Sequence, residues 1–411
     1  MSAPGPSPTL APARHVVPLL AAFASLVVLT TDVYLPVLPR VSADLATSDA
    51  AASATVSCVL VGIAVGQVVI GPLSDAVGRR APLLLGASAY AVLHVLSALS
   101  SSIVVLLGVR VLAGFATAAC IVVGRAVVVD LFPGEGTTRA FAVLGAVTSI
   151  VPVLAPVIGS LLALVMGWRG MFLVLAGLAV VLVAIGWRAL PESLPAQRRT
   201  PPRLGSVLRE LGSVVRLRTF VAYAAAIGAV GVVLFGYIGA SSFVLQGAFD
   251  LSPQQYGLVF ALNSVGIFLA SNLAARLSGR VPAPRLLASG QAVSVVGVAV
   301  LAVGVGLHVL VLVCAGLFLA VSCIGLVMPS AMSLGMRAAG GRAGAAAGVF
   351  GIVQFACGAV ASPLAGSGGS AWSLVVVLGS GALAGPVLLH LLLGPALPLT
   401  ASPPPPEGLH P

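Results

Sequence analysis

Long apolar runs recur along the chain and are separated by short polar turns. Runs of about 20 residues are long enough to cross a bilayer as helices, whereas a membrane barrel is built from shorter, alternating segments. The pattern predicts twelve spans, at 16–39, 52–71, 82–100, 103–124, 139–163, 169–190, 219–243, 254–277, 284–304, 307–334, 343–366 and 371–394. The longest polar break falls between spans 6 and 7.

These breaks divide the chain into two tails, two helical halves and a linker. We predict an N-terminal tail, a first six-helix bundle, a basic linker, a second six-helix bundle and a Pro-rich C-terminal tail, at 1–15, 16–190, 191–218, 219–394 and 395–411. A faint repeat relates the halves, since "GPLSDAVGRR" and "SNLAARLSGR" both end a span and finish in Gly-Arg. Parallel halves around a substrate cavity are one architecture of secondary transporters. The pattern therefore predicts an all-α membrane protein of two pseudo-symmetric bundles.

Composition agrees with a chain embedded in lipid. Of its 411 residues, 59% are hydrophobic and 7% are charged, whereas a soluble domain carries about 25% charged residues. The net charge of +10 comes from Arg, because all twenty basic residues are Arg. If the N-terminal tail is cytoplasmic, cytoplasmic segments hold sixteen of them and outer loops hold two. The positive-inside rule then predicts both termini inside the cell, and we expect no nucleic-acid partner.

Several functional classes are not indicated by the sequence. The five Cys are scattered through apolar runs without disulfide or metal-ligand spacing, at positions 58, 120, 314, 323 and 357. No Walker A pattern and no convincing nucleophile–base pair is present, so we expect no enzyme, metal or cofactor. The N-terminal tail has no basic n-region or clear cleavage site, so we expect no removed signal peptide. The basic linker can lie against anionic membrane lipid, or act only as an orientation signal and connection.

The stretch "LVVLTTDVYLPVLP" places Asp32 inside an apolar run. An ionisable residue within a membrane span is a functional candidate by default. At a rise of about 1.5 Å per residue, Asp32 in span 1 and Arg110 in span 4 fall at similar depths and can share an aqueous cavity. Poor solvation favours the neutral form of a carboxyl, whereas a nearby Arg favours the charged form. A conformational change that alters these two influences can therefore load and release a coupled proton. The alternatives are an acid facing outer-leaflet water and a static ion pair with Arg110.

The stretch "GPLSDAVGRRAP" after span 2 is the most specific local signal. We expect Gly71 to allow close helix contact where the span ends, Asp75 to lie in a short turn, and Gly78 to adopt a left-handed backbone conformation. Together with Arg79 and Arg80, Asp75 can bind partners on neighbouring helices in one conformation and release them in another. We call this cluster the cytoplasmic latch. The alternative is an ordinary basic turn that only sets orientation.

Three stretches of the sequence resemble motifs of the major facilitator superfamily. "GPLSDAVGRR" is similar to its loop 2–3 signature, G-x-L-x-D-x-x-G-R-[RK], with Ala76 where Arg is frequent. "RVLAGFATAA" (110–119) resembles the span-four motif, and "VPVLAPVIGS" (151–160) resembles the antiporter motif of span 5. Narrower likenesses to the Bcr/CflA-type drug-resistance branch are carried by "TTDVYLPVLP" (30–39), "GRAVVVDLF" (124–132), "GWRGMF" (167–172) and "GYIGASSFVLQ" (236–246).

The resemblance implies a twelve-helix bacterial transporter that exports small drugs or metabolites in exchange for protons. It also implies that Asp130 and Arg139 join the cytoplasmic latch. In the antiporter-motif helix, Pro152 and Pro156 lack amide hydrogens and are expected to bend span 5, and Gly159 gives it a smooth surface. Such a helix can slide or seal at the interface of the two halves. A kink tolerated by packing is the alternative.

Polar and aromatic residues for a substrate cavity are few. Five lie in spans that resemble cavity-lining or interface helices: Tyr34, Tyr237, Ser241, Asn263 and Gln354. An apolar pocket with few polar anchors suits a hydrophobic or amphiphilic small molecule, and local packing is the alternative role for each residue. We assign a structural role to Arg125, which can snorkel from the inner end of span 4. We expect His94 and His308 to lie at the periphery or at a loop, and we assign them structural roles as well.

Together with the apolar runs, the resemblance implies a monomeric exporter of a small drug or antibiotic in the bacterial inner membrane. Its driving force is expected to be the proton gradient, without a cofactor. A metabolite or sugar exporter of the same fold, a non-transporting membrane sensor and an uptake transporter are the alternatives that the residues leave open.

Overall fold

A computed structural model describes residues 15–132, 135–199, 204–340, 342–367 and 370–394. Every regular element in these residues is helical, and one isolated backbone bridge joins Ser278 and Val281. Twelve helices in the described chain are long and apolar enough to cross a membrane. The predicted all-α fold with twelve spans is confirmed.

The spans follow the predicted order along the chain. Their bounds, for spans 1 to 12, are Val16–Asp44, Asp49–Val77, Arg80–Ala98, Ile103–Leu131, Arg139–Val165, Trp168–Ala189, Arg218–Ala248, Pro253–Leu277, Ala283–Gly306, Leu310–Ala338, Gly344–Ala365 and Ala371–Leu393. Span 7 widens into a π-helical turn over Val244–Ala248. Span 10 consists of two α-helices, Leu310–Ser322 and Ile324–Ala338.

Span 1 is interrupted directly after Asp32. Its first α-helix, Val16–Asp32, is followed by a 3₁₀ turn, Leu35–Val37, and a short α-helix, Leu38–Asp44. Pro36 stands in the 3₁₀ turn, and it has no amide hydrogen for the carbonyl one turn back. The sequence predicts one segment over 16–39, and the structure divides it. The division leaves carbonyls at the end of the first helix available to other donors.

Spans 2 and 4 are longer than predicted. Each is an α-helix of 29 residues, and each begins at a Ser whose side chain accepts a hydrogen bond from a backbone amide, Ser48 from Ala51 and Ser102 from Val105. A helix of that length extends about 44 Å, which exceeds a hydrocarbon core of about 30 Å. Both helices are therefore longer than the core is thick, and acidic residues of the latch lie near their C-terminal ends.

The described chain forms two compact units. The first contains the residues up to Gly205 together with Ser252–Leu258, and the second contains Ser206–Leu251 and the residues from Val259 onward. The division falls inside the predicted linker, and the exact domain limits stay a prediction.

The linker contains a helix that the sequence analysis does not predict. This α-helix spans Leu204–Val215, and Val214 on it is fully buried. Arg342 of the second unit donates a hydrogen bond to the Ser213 carbonyl at 3.3 Å. The end of the linker therefore packs as part of the second unit.

Candidate functional site

Asp32 is a buried acid at the end of the first helix of span 1. Only 4% of its surface is exposed, and its carboxyl accepts a hydrogen bond from the Thr31 hydroxyl at 2.7 Å. Among the described residues it forms no ion pair. The alternative of an acid bathed in outer-leaflet water does not fit a side chain this buried.

Arg110 reaches from span 4 to the end of the same helix. It is fully buried, and its Nη2 donates to the Thr30 carbonyl at 2.7 Å while its Nε donates to the Thr55 carbonyl at 3.4 Å. Thr30 lies in the last turn of the helix, where carbonyls lack intrahelical donors and the helix dipole is negative. Arg110 therefore caps the interrupted helix of span 1 two residues before Asp32.

Aromatic rings enclose the guanidinium of Arg110. Its carbon lies 4.7 Å from the centroid of the Tyr34 ring and 5.3 Å from that of Phe172. The Tyr34 hydroxyl and the Thr55 hydroxyl are 2.7 Å apart and hydrogen bonded. Tyr34, predicted to line a substrate cavity, is fully buried here as a wall of the Arg110 pocket. Arg110 thus reaches the turn that ends at Asp32, but the static ion pair considered between the two residues is absent.

The buried polar cluster extends to two residues of span 3 that the sequence analysis missed or assigned to the periphery. The Thr30 hydroxyl donates to the Tyr90 hydroxyl at 2.9 Å, and the ring of His94 stacks on that of Tyr90 with 3.8 Å between centroids. His94 is fully buried, not peripheral. Its Nε2, like Nη1 of Arg110, has no hydrogen-bond partner within the described chain. The only sequence signal was the four-residue spacing of Tyr90 and His94, which places them on one helix face.

In the second unit, the four predicted substrate residues are buried, and two of them are in contact with each other. Asn263 donates to the Tyr237 hydroxyl at 2.8 Å, and Ser241 is fully buried one turn further along span 7. Gln354 lies 3.9 Å from the Met328 sulfur and is also buried. Tyr237 and Asn263 are therefore brought together, whereas the roles of all four in substrate binding stay predictions.

Arg79 is the centre of the cytoplasmic latch. Its guanidinium pairs with Asp75 at 2.6 Å and with Asp130, at the end of span 4, at 3.0 Å. It also donates to the Ser74 hydroxyl at 2.6 Å. Glu192, which follows span 6, accepts the backbone amide of Arg79 at 2.8 Å. The latch thus joins the ends of spans 2, 4 and 6, and Glu192 is a member that the sequence analysis missed.

Gly78 has the backbone conformation that the sequence predicts. Its φ is 104°, in the region that L side chains rarely adopt. A Cβ at this position would also collide with the Glu192 carboxylate. Glycine is therefore needed both for the turn and for the approach of Glu192 to the latch.

Three expectations about the latch are wrong. Asp75 lies within the helix of span 2 rather than in a turn. Gly71 does not mediate a close helix approach, because a Cβ there would meet only the Val122 side chain, at 3.8 Å. Arg139 is exposed and makes no ion pair in the described chain, so it is not joined to Asp130.

Arg80 belongs to the neighbourhood of the latch but not to its ion pairs. Its side chain donates to the Trp187 carbonyl, and its guanidinium carbon lies 5.5 Å from the Trp187 ring. Its backbone amide donates to Glu192 at 3.3 Å. Arg80 therefore anchors the start of span 3 to the end of span 6.

The antiporter-motif helix packs against the interruption of span 1. Pro152 and Pro156 both lie inside the continuous helix Glu135–Val165. Gly159 faces the backbone of Val33 so closely that a Cβ would overlap the Val33 carbonyl. Span 5 therefore contacts span 1 at the residue after Asp32.

A cavity of about 320 Å³ lies within the first unit between spans 1, 4 and 5. Its lining is mainly apolar and contains none of the five predicted substrate residues. Arg125, assigned a structural role from the sequence, is among the lining residues. The described residues contain no cluster of three or more His, Cys, Asp or Glu that could hold a metal ion.

The fold resembles solved structures of transporters. One is a peptide transporter, POT, in complex with sulfate, with a TM-score of 0.74 at 14% identity over 93% of this chain and 94% of that chain. At this identity the likeness shows the fold alone.

Sequence relatives and a family model agree with the motifs. An uncharacterized MFS-type transporter, YdgK, of Bacillus subtilis (strain 168) is 32% identical over 85% of this chain and 87% of that protein. A chloramphenicol resistance protein of Pseudomonas aeruginosa is 30% identical over 69% of this chain and 67% of its own length. A bicyclomycin resistance protein homolog of Haemophilus influenzae is 27% identical over 62% of this chain and 64% of its own length. The Major Facilitator Superfamily model matches residues 20–363. The resemblance drawn from the motifs is thus confirmed, and this multi-pass membrane protein belongs to the Major Facilitator Superfamily, a family of transporters rather than enzymes.

Proposed function

We propose that the protein exports a small hydrophobic or amphiphilic drug or antibiotic in exchange for protons, by alternating access across the bacterial inner membrane. It works as a monomer, with both termini in the cytoplasm and without a cofactor. The names of the chloramphenicol and bicyclomycin resistance relatives support a drug as the exported solute. The concentration of Arg in alternate loops supports the orientation.

One observation carries the proton coupling: Asp32 is buried without a counter-ion, although the guanidinium of Arg110 is bound two residues away. A charged carboxylate is costly in such a site, because one hydroxyl does not replace its hydration. Protonation of Asp32 removes that cost. In another conformation, hydration stabilises the charged carboxylate, so the proton can be released. Because no ion pair must be broken first, the proton can come and go as the hydration of Asp32 changes.

Asp32→Asn is expected to abolish proton-linked transport. The amide keeps the size and can accept the Thr31 hydrogen bond, but it cannot release a proton in the physiological range. In proteoliposomes, addition of a transported drug should release protons with the wild-type protein and give no signal with Asp32→Asn. A compound panel including phenicols, bicyclomycin, sugars and metabolites identifies the solute class, and the direction of flux under an imposed pH gradient separates export from uptake.

Asp250→Asn is the matched control. Asp250 is exposed in the loop after span 7 and has a positive φ of 54°, which Asn tolerates. This variant should couple protons like the wild type. Normal coupling in Asp32→Asn would remove Asp32 from the proposal, and solute binding with no net flux in the wild type would favour a sensor instead of a transporter.

The latch is proposed to stabilise one conformation of the transport cycle. The Asp75–Arg79 pair lies within one segment at i, i+4 spacing, and the Asp75 side chain is 46% exposed. Such a pair contributes about 1 kcal/mol or less. The Arg79–Asp130 pair connects different spans, its side chains are 10% and 20% exposed, and Ser193 also donates to Asp130 at 3.0 Å. Hydrogen bonds to charged groups contribute about 1.5–3 kcal/mol.

Both Asp75→Asn and Asp130→Asn are expected to shift the balance between inward-open and outward-open states, and the shift should be larger for Asp130→Asn. About 1.5 kcal/mol corresponds to a tenfold change in the population ratio. Labelling of single cysteines introduced on each side of the membrane measures the shift. Equal accessibility in wild type and Asp130→Asn would show that the latch does not control the cycle.

A further inference from the structure

The cavity between spans 1, 4 and 5 contains a cation that nothing in the described chain neutralises. Arg125 contributes the single charge to its lining. The described chain shows no hydrogen bond or ion pair from Arg125. The nearest acid along span 4, Asp130, is already bound to Arg79 and Ser193.

The rest of the cavity wall is suited to an apolar body. Most lining side chains are aliphatic or aromatic, among them Leu20, Val27, Ile121, Phe141 and Leu144. The hydroxyl of Thr148, a polar lining residue on span 5, already donates to the Leu144 carbonyl at 2.9 Å. Arg125 is exposed and is the charged residue of this lining, so it is the group that an anionic ligand in the cavity would meet.

We propose that this cavity binds a small amphiphile with an anionic group. The Arg125 guanidinium forms an ion pair with that group, and the aliphatic walls enclose the apolar body. The inference rests on the proposed function and names the substrate class of the exporter as organic anions rather than lipophilic cations. Guanidinium–carboxylate pairs are short, bidentate and about twice as strong as neutral hydrogen bonds. The volume of about 320 Å³ lies within the range of small-molecule sites, about 300–1,000 Å³.

Three probes of nearly equal size test the charge preference: 2-naphthoate, the neutral 2-naphthamide and the cationic 2-naphthylmethylammonium. Binding is measured by equilibrium dialysis to the full-length protein in phosphatidylcholine nanodiscs, without a gradient. The wild-type protein should bind 2-naphthoate at least about tenfold more tightly than the ammonium probe. Arg125→Gln should weaken 2-naphthoate about tenfold and leave 2-naphthamide unchanged, whereas Arg125→Lys should keep most of the preference because it keeps the charge.

Two further variants separate charge from volume. Arg188→Gln makes the same change at an exposed Arg near the end of span 6, outside the cavity, and should bind all three probes like the wild type. Gly145 lines the cavity, and a Cβ there meets nothing within 4 Å. Gly145→Leu should therefore fill the cavity without a backbone clash and weaken all three probes alike.

An anionic lipid headgroup shares this chemistry, so binding is repeated with phosphatidylglycerol in the nanodisc. Displacement of 2-naphthoate by phosphatidylglycerol would overturn the small-solute assignment in favour of a lipid site. Equal binding of the three probes, or naphthoate binding that does not depend on Arg125, would overturn the inference but leave proton-linked export standing. Charge-selective binding in a protein that shows no proton-linked flux would instead contradict the proposed function and leave the binding site intact.

Discussion

Replacing Arg110 with methionine is expected to abolish transport while changing the thermal stability of the protein by only a few degrees. Loss of transport follows from the position of Arg110, which is fully buried and bound to the Thr30 carbonyl beside Asp32. Without the guanidinium, the end of the span 1 helix loses its cap two residues before Asp32. Drug-driven proton release in proteoliposomes should fall to the background of empty vesicles.

The small change in stability reflects two opposing contributions. Removing Arg110 leaves the carbonyls of Thr30 and Thr55 without this donor, at a cost of about 1–3 kcal/mol each. The same substitution removes a buried cation that has no acidic partner, and burial of an ion costs several kcal/mol. Methionine fills a similar volume and its sulfur packs well against aromatic rings, such as those of Tyr34 and Phe172.

Arg110→Lys distinguishes this account from a simple ion-pair role. Lysine keeps the buried charge but has no planar fork to reach both carbonyls and stack between the rings. We expect it to be less stable than Arg110→Met, by about 2 kcal/mol. Unfolding in detergent is followed with a thiol-reactive dye, because Cys120 and Cys323 are buried. A lysine variant more stable than the methionine variant would contradict the proposed energetics, and normal coupling in Arg110→Met would exclude a role in transport.

The spans could be predicted from the sequence because length and continuity of apolar runs are set by the bilayer. Span 6, predicted at 169–190, is observed at Trp168–Ala189. The interruption of span 1 could not be predicted in the same way, because proline alone does not mark a break in a membrane helix. Pro156 lies inside a continuous helix, whereas Pro36 lies in the turn after Asp32.

Charged residues of the site could be found from the sequence, but their partners could not. Asp32 and Arg110 stand out in apolar runs, and a count along the helices places them at one depth. The acceptor that binds Arg110 is a backbone carbonyl, a group present at every residue and therefore without a sequence signal. His94 was misplaced for a related reason: span 3 is apolar on most of its surface, so its pattern does not show which face is buried.

The latch shows the same limit at the membrane surface. The motif predicted Arg79 as a cation beside Asp75, and the resemblance added Asp130. Glu192 lies outside any motif, yet it accepts the amides of both Arg79 and Arg80 because span 6 ends next to this turn. Arg139 carries the positive charge that could pair with Asp130, but it is exposed and makes no ion pair in the described chain. Tertiary contacts of this kind depend on helix packing that charge patterns along one chain do not specify.

Gly159→Ala is expected to destabilise the protein by about 3 kcal/mol, the upper range for overpacking in a close-packed interior. A Cβ at this position would overlap the carbonyl of Val33 and come within 2.8 Å of its carbon. Spans 1 and 5 would have to separate directly beside Asp32. We therefore expect lower stability in the thiol-dye assay together with impaired proton coupling, because the surroundings of Asp32 change.

Two variants show whether this close backbone contact is responsible. Gly177→Ala makes the same substitution in span 6, where a Cβ meets nothing within 4 Å; it should be neutral or slightly stabilising, because alanine favours a helix by about 1 kcal/mol over glycine. Val33→Ala combined with Gly159→Ala should not restore stability, since the colliding atoms of Val33 belong to its backbone. Rescue by the smaller side chain, or a Gly159→Ala protein as stable as Gly177→Ala, would show that the two spans are not held together at this point.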